Sequence, residues 1–309
     1  MKIYRDISSF KNVEKPIFTT GTFDGVHIGH QKIISRLKDI ARQKRGETVM
    51  LTFHPHPRMV LFPDDHGLEL LSTPDEKAEL LEKAGIDHLI VYPFTEEFSR
   101  MTAVEYVRDL LVNQIGVDTV VVGYDHHFGR NREGDFEQLK EFAQVYNFDV
   151  EEIPALDIEN VNVSSTKIRK ALAAGDVKRA HQFLNHPYTI SGTVVRGEGL
   201  GKKIGFPTAN ISVEESYKLI PAKGVYAVKA EIGEQTFDGM LNIGTRPTVT
   251  NEDRQTIEVH LFGLESEIYG SRVTLSLMDR IRDEVQFNSI EELKEQLKKD
   301  KKNSKSILE

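Results

Sequence analysis

The feature that most constrains the fold is a change of periodicity near residue 185. Before it, short β-rich runs alternate with helical patterns. PIFTT, TVMLTF, HLIVYPF, DTVVVGYD and DVEEIPA read as strands. Between them lie HQKIISRLKDIARQK, PDEKAELLEKAG, AVEYVRDLLVNQIG and FEQLKEFAQVYN, which read as helices; the second has Pro at its start and Gly just past its end. Such alternation predicts a parallel sheet covered by helices on its faces. A further helical stretch, SSTKIRKALAAGDVKRAHQFLNHP, closes this half. From about Tyr188 the chain reads YTISGTVVRGEG, GVYAVKAEIG, TFDGMLNIG, TIEVHLFG and RVTLSLMDRIR. These glycine-punctuated strands predict an antiparallel sheet or barrel. SIEELKEQLKKDKKNSK then reads as an amphipathic helix with a basic, solvated tail. A chain of 309 residues is long for one core. Two domains are predicted, 1–184 and 185–309, with a linker near Asn185–Pro187 and no internal repeat.

Composition excludes several function classes. With 0 cysteines the chain has no disulfide, no thiolate nucleophile, no iron–sulfur cluster and no cysteine-based zinc site. A net charge of −8 argues against a protein whose task is to grip nucleic acid, which needs a basic surface. It says nothing against binding a nucleotide locally. No apolar run approaches the ~20 residues that cross a bilayer, and the opening MKIYRDISSF does not read as a secretory signal. The expectation is a cytoplasmic protein with no nucleic-acid or membrane partner. Oligomeric state is left open.

Ligands of parallel sheets bind beyond the carboxyl ends of the strands. The unusual residues fall there: GTFDGVHIGH after the first strand, HPHP after the second, GYDHHFGR after the fourth. Gly21, Gly25 and Gly29 allow a sharp turn and close approach to a ligand. The following helix directs free N–H groups at that ligand and favours an anion. His27 and His30, three apart in the first turn, share a face. Two imidazoles beside a helix start make a phosphate site and can offset charge growing during phosphoryl or nucleotidyl transfer. The plainer reading is two surface histidines at a cap. A zinc site needs a third ligand from His54, His56, His126 or His127, and neither Cys nor a HExxH pattern supports one.

In the second half, Gly197, Gly199, Gly201 and Gly205 form a loop suited to cradling phosphates through backbone N–H groups, or an ordinary hairpin. Thr208 and Asn210 of PTAN offer hard oxygens of the kind magnesium accepts beside nucleotide phosphates. Pro207 fixes the backbone next to them. Glu258 lies between the apolar Ile257 and Val259, and by itself reads equally as a solvated strand residue.

GTFDGVHIGHQ resembles the HxGH signature of the nucleotidyltransferase superfamily. With FDGV ahead of the histidines it is similar to the first module of bacterial bifunctional riboflavin kinase/FAD synthetases. TFHPHP, VVGYDHHFGR and VSSTKIR resemble that family's further motifs. GKKIGFPTANI, GVYAV, NIGTRPTV and IEVHLF resemble its riboflavin kinase module, in family order. The resemblance covers almost the whole chain. It implies a Rossmann-like α/β nucleotidyltransferase (FMN adenylyltransferase) domain, then an antiparallel β-barrel riboflavin kinase domain with a C-terminal helix.

The resemblance also implies roles. His27 and His30 would contact ATP phosphates and stabilise the transition state, with Gly21, Phe23, Asp24 and Gly29 forming the nucleotide site around them. FMN is already an anion, so it can attack the α-phosphorus without a strong base, and positioning and charge neutralisation carry the rate. Ser164, Ser165, Thr166 and Arg169 would close over the triphosphate, Arg169 taking charge on the departing pyrophosphate. Phe53, His54 and Pro55 would line the flavin end or the nucleotide mouth, or simply form a rigid turn. Asp125 would sit near the transferred phosphoryl group or the adenosine. His126 stands where relatives often have an aromatic residue. In the kinase module, Gly197, Gly199, Gly201, Lys202 and Gly205 would hold nucleotide. Lys202 keeps the charge of the Arg that many relatives carry there but not its bidentate fork. Thr208 and Asn210 would hold Mg2+ with ATP, Glu258 would be the general base for the riboflavin 5′-hydroxyl, and Arg246 would help bind nucleotide. No further organic cofactor is implied; riboflavin, FMN and ATP are substrates. The competing expectations are a nucleotidyltransferase of other specificity with a non-catalytic barrel, and a degraded enzyme that binds flavin or RNA.

Overall fold

The structure, a computed structural model, describes residues 1–64, 67–124, 126–153, 163–197, 199–246 and 254–309; the side chains of Leu200, Arg246 and Arg254 are outside the description. The chain divides into two compact units, Met1–Ser164 and Ser165–Glu309.

The first unit is built on strands β1 (Lys2–Tyr4), β2 (Pro16–Thr20), β3 (Glu47–Phe53), β4 (His88–Tyr92), β5 (Thr119–Gly123) and β6 (Asp149–Ile153). They form one parallel sheet in the order β1-β4-β3-β2-β5-β6. The expected parallel sheet is present. Its outermost strand, β1, went unread because three half-exposed residues carry no periodic signal. Helices α1 (Ile28–Lys44), α2 (Pro57–Leu61), α3 (Pro74–Lys83), α4 (Glu96–Ser99), α5 (Ala103–Glu105) and α6 (Phe136–Tyr146) complete the unit, and α5 runs into a wider-wound π segment, Tyr106–Ile115. Two apolar clusters serve the two faces of the sheet: Phe18, Leu51, Leu110 and Val120 belong to one, and Ile17, Leu37, Met50 and Val121 to the other. Burial on both faces explains why these strands read as continuous apolar runs. The strand order reverses beside β2, whose neighbours are β3 and β5. The β2–α1 loop therefore leaves the sheet at the switch point where such folds bind ligands.

The second unit opens with α7 (Ser165–Ala173) and α8 (Val177–Leu184). Between them Gly175 takes φ 75°, a left-handed turn that divides what the sequence shows as one helical stretch. Strands β7 (Tyr188–Val195), β8 (Ala209–Ser212), β9 (Gly224–Ile232), β10 (Gln235–Arg246), β11 (Arg254–Leu261) and β12 (Arg272–Arg282) close into an antiparallel barrel ordered β10-β11-β8-β7-β12-β9. Closure leaves no unpaired edge. One helical turn, α9 (Leu200–Lys203), interrupts the glycine loop, and α10 (Ile290–Leu308) ends the chain.

Two candidate active sites

The β2–α1 loop is held in an unusual conformation. Phe23, Gly25 and Val26 have φ of 45°, 78° and 40°. For Phe, and more so for β-branched Val, this region is strained by about 1–3 kcal/mol per residue, a reservoir typical of functional loops. His27 is the N-cap of α1, and its Nδ1 accepts from the His30 backbone N–H at 3.4 Å. The helix thus starts at Ile28, two residues earlier than the sequence pattern indicated. The His27 and His30 rings are stacked, with centroids 3.6 Å apart and planes 13° from parallel. Phe23 meets His30 edge-on at 5.1 Å. The His30 Nδ1 is shielded from solvent with no hydrogen-bond partner among the described residues. Burial first, then His27 and Lys77, holds the His30 ring well below the usual histidine range. His30 is therefore a neutral donor rather than the cation that charge compensation implies.

His30, Gly21 and Phe23 border a cavity of about 770 Å³. Phe53 borders it too, as do Phe94, Phe98 and Phe128, giving one end an aromatic wall suited to a planar ring system. His54 and Pro55 are not among its walls, which continue instead with Pro57 and Leu61 of α2. Asp24 is 2% exposed, and its carboxylate accepts from the backbone N–H groups of Leu71 (2.9 and 3.1 Å) and Ser72 (3.2 Å). Its work is to anchor the loop, because a buried carboxylate needs these donors. Gly29 is buried in the first turn of α1. Asp125 lies outside the described residues, while His126 and His127 border the cavity. Ser164 ends the first unit; Ser165, Thr166 and Arg169 belong to α7 of the second.

The barrel carries a second cavity, about 360 Å³, bordered by Gly199, Gly201, Thr208, Asn210 and Glu258. Residues 50 apart in sequence meet here because β11 pairs with β8, placing Glu258 opposite Asn210. The Thr208 hydroxyl donates to Glu258 Oε2 at 3.4 Å. A Cβ on Gly201 would collide with the Phe206 carbonyl, so glycine is required there, while one on Gly197 would displace the Asn210 side chain. Gly205 takes φ 85°. Lys202 is exposed and not among the cavity walls. The side chain of Arg246 and the whole of Asp253 lie outside the described residues.

Sequence reading missed three parts of this site. Asn242 of β10 stands opposite Glu258 in register and borders the cavity. His260, two residues beyond Glu258 on the same strand face, forms a 2.7 Å hydrogen bond between Nδ1 and the Pro207 carbonyl. Only an Nδ1–H tautomer can make it, and burial keeps the ring below the usual histidine range. The period-2 alternation about Glu258 was the available signal for His260. The third part, Leu293 and Leu297 of α10, gives the cavity an apolar end together with Phe206 and Met240. Nothing in the linear sequence ties that helix to PTAN. Thr208, Asn210 and Glu258 offer hard oxygen donors, which fit a small divalent cation shared with nucleotide phosphates.

Comparison with known proteins agrees with this two-site layout. A family model for FAD synthetase matches residues 9–167, and one for riboflavin kinase matches residues 184–308. The bifunctional riboflavin kinase/FMN adenylyltransferase of Escherichia coli (strain K12) is 38% identical over 303 residues, covering 97% of this chain and 96% of the relative. Those of Listeria monocytogenes and Bacillus subtilis are 39% and 36% identical, covering 94% and 93% of this chain and 92% and 90% of theirs. A solved Streptococcus pneumoniae structure described as a macrolide-efflux protein superposes with a TM-score of 0.86 at 30% identity over 98% of both chains. Among the described residues no helix is long and apolar enough to cross a membrane. By its two matched modules and its full-length relatives, the chain belongs to the bifunctional riboflavin kinase/FMN adenylyltransferase family.

Proposed function

We propose that the two cavities are the two active sites of one flavin-making enzyme. The C-terminal unit is the riboflavin kinase: the ribityl 5′-oxygen attacks the ATP γ-phosphorus, the bond to the β-phosphate oxygen breaks, and FMN and ADP result. The N-terminal unit is the FMN adenylyltransferase: an FMN phosphate oxygen attacks the α-phosphorus, and FAD and pyrophosphate result. Both reactions use ATP with a divalent metal; Mg2+ is our specific assignment.

The observation that carries the kinase assignment is the meeting of Thr208, Asn210 and Glu258 in one cavity. In this reading Glu258 takes the hydroxyl proton, while Gly199 and Gly201 offer backbone to the phosphates. The cation, held by Thr208 and Asn210, supplies charge neutralisation of the phosphates when bound. Phe206, Met240, Leu293 and Leu297 would receive the flavin ring. In the first unit, His27 and His30 would donate to phosphate oxygens, and the wall of Phe53, Phe94 and Phe98 would stack the isoalloxazine. Ser164, Ser165, Thr166 and Arg169 keep the triphosphate role that the SSTxIR resemblance implies, as does Asp125 its place near the nucleotide. A cytoplasmic location belongs to the same reading. The test is incubation of the full chain with riboflavin, ATP and Mg2+, with chromatography of the flavins. FMN followed by FAD is expected; no FMN in any divalent metal would overturn the kinase reading, and FMN that never proceeds to FAD the adenylyl one.

A further inference from the structure

Lys77 is a cation buried beneath the histidine loop and unused in the chemistry above. It lies on α3, outside every motif of the nucleotide site, and is 7% exposed. Its ammonium donates to the Thr22 carbonyl at 2.6 Å and to Thr52 Oγ1 at 3.2 Å. Thr52 Oγ1 in turn donates to the same Thr22 carbonyl at 3.2 Å. Thr22 borders the first cavity and immediately precedes the strained Phe23. Asp24 and the Gly25 N–H are tied to the Leu71–Ser72 segment just ahead of α3, the latter through Ser72 Oγ at 3.2 Å. A capping box of Thr73 and Glu76 fixes the start of α3. The segment LLSTPDEK thus grips the loop at Thr22, just ahead of its strained stretch, and at Asp24 and Gly25 within it.

A buried ammonium is costly unless its donors are satisfied. A methionine or leucine would pack here more cheaply if filling space were all that the position required. We infer that Lys77 is a positioning residue of the adenylyl-transfer site, whose ammonium fixes the Thr22–His27 loop and lays positive charge beneath the phosphate-binding histidines. The inference rests on the reading of His27 and His30 given above.

The charged groups facing Lys77 are Asp24 of the loop and His30 of α1, with His27 stacked on the latter; on its own helix, Glu76 turns back to the Thr73 N–H. Burial outweighs the attraction of Asp24 and pulls the Lys77 ammonium down to about 8. The cation is then present at neutral pH and lost just above it. The dependence of kcat/KM for ATP on pH reports groups of the free enzyme. In FAD formation from FMN it should decline above neutrality, while the same profile for FMN formation does not share that limb.

The test is Lys77→Met in the full chain. Its kcat/KM for ATP in FAD formation should fall by about 10- to 100-fold, the span of a lost hydrogen bond to a charged group. The alkaline limb should disappear from what remains, and riboflavin phosphorylation should be unchanged. A value within threefold of wild type overturns the inference. So does a fall that keeps the wild-type alkaline limb, or one explained by an unfolded first unit in thermal melts; each marks Lys77 as merely structural. His27→Ala and His30→Ala are run in parallel. If they retain full FAD formation, the histidine reading fails; if they lose it while Lys77→Met does not, only the present inference fails.

Discussion

Glu258 lies directly opposite Asn210 across the β11–β8 pairing, with the Thr208 hydroxyl 3.4 Å from its carboxylate. A proton acceptor and two hard oxygen donors thus converge on one cavity from two strands. The ribityl hydroxyl is a poor nucleophile at neutral pH, so this step gains from a base in a way that attack by the FMN phosphate does not. Glu258→Gln keeps the shape and removes the charge. Riboflavin phosphorylation should lose about 10²–10⁴ in kcat, the ordinary span of general-base catalysis. FAD formation from supplied FMN should not change. Retention of kinase turnover within about threefold would exclude Glu258 as the base.

The histidine pair makes the complementary case. Replacing both His27 and His30 with Ala removes a stacked pair, of which His30 borders the first cavity and His27 does not, and leaves the barrel untouched. FAD formation from FMN should be abolished while FMN formation from riboflavin stays near normal. Assaying both products from the same preparation checks this, and equal loss of both activities would count against two separate sites.

Much of this was legible in the chain. The parallel sheet followed from apolar runs alternating with helical patterns, and the barrel from glycine-spaced alternation. The glycines of the loops and the oxygens of Thr208 and Asn210 stand out locally, whereas Glu258 by itself reads equally as a solvated strand residue and is singled out only by the family resemblance. Lys77 was not legible, because an amphipathic helix shows a lysine as solvated surface, and only tertiary packing turns this one inward. The aspartate of FDGV shows the same limit: its motif points to the nucleotide loop, but nothing in that motif foretells the bonds its carboxylate accepts from the Leu71 and Ser72 N–H groups. The two compact units divide after Ser164, ahead of α7 and α8, whose sequence continues the helical texture of the first half.

Those two helices give the next prediction. In the second unit the Ala222 N–H donates to the Leu172 carbonyl at 3.0 Å, and Lys178 pairs with Asp279 at 2.7 Å. Leu172 and Leu184 are fully buried. Each such side chain contributes about 1.5–3 kcal/mol through burial. A fragment of residues 165–309 should therefore fold more stably than one of residues 185–309, and the longer one should phosphorylate riboflavin. Thermal unfolding of both, followed by circular dichroism, decides it: equal midpoints would show that α7 and α8 add nothing to the barrel.

The last prediction concerns what holds α10 against the kinase cavity. Asp300 on that helix is 0% exposed. Arg282 at the end of β12 donates Nε to both of its oxygens at 3.0 Å and Nη2 to Oδ2 at 2.7 Å. Gln296 adds a bond to Oδ1 at 2.8 Å. A buried carboxylate so fully paired is expensive to disturb, since removing one partner leaves the other's charge uncompensated. The Arg282 side chain keeps 19% exposure, so water relieves part of that cost. Asp300→Ala should then destabilise the unit by about 3 kcal/mol, the low end of the range for a broken buried pair. Melting should fall by on the order of 10 °C for a unit of this size. Because α10 also brings Leu293 and Leu297 to the apolar end of the cavity, KM for riboflavin should rise more than KM for ATP. Replacing both partners with apolar residues of similar volume should recover much of the stability, because no orphaned charge remains. If Asp300→Ala melts within a degree of wild type with both KM values unmoved, the pair is not what seats the helix, and its other ties to the barrel, among them the Ser304 hydroxyl on the Gly239 carbonyl at 2.7 Å, suffice.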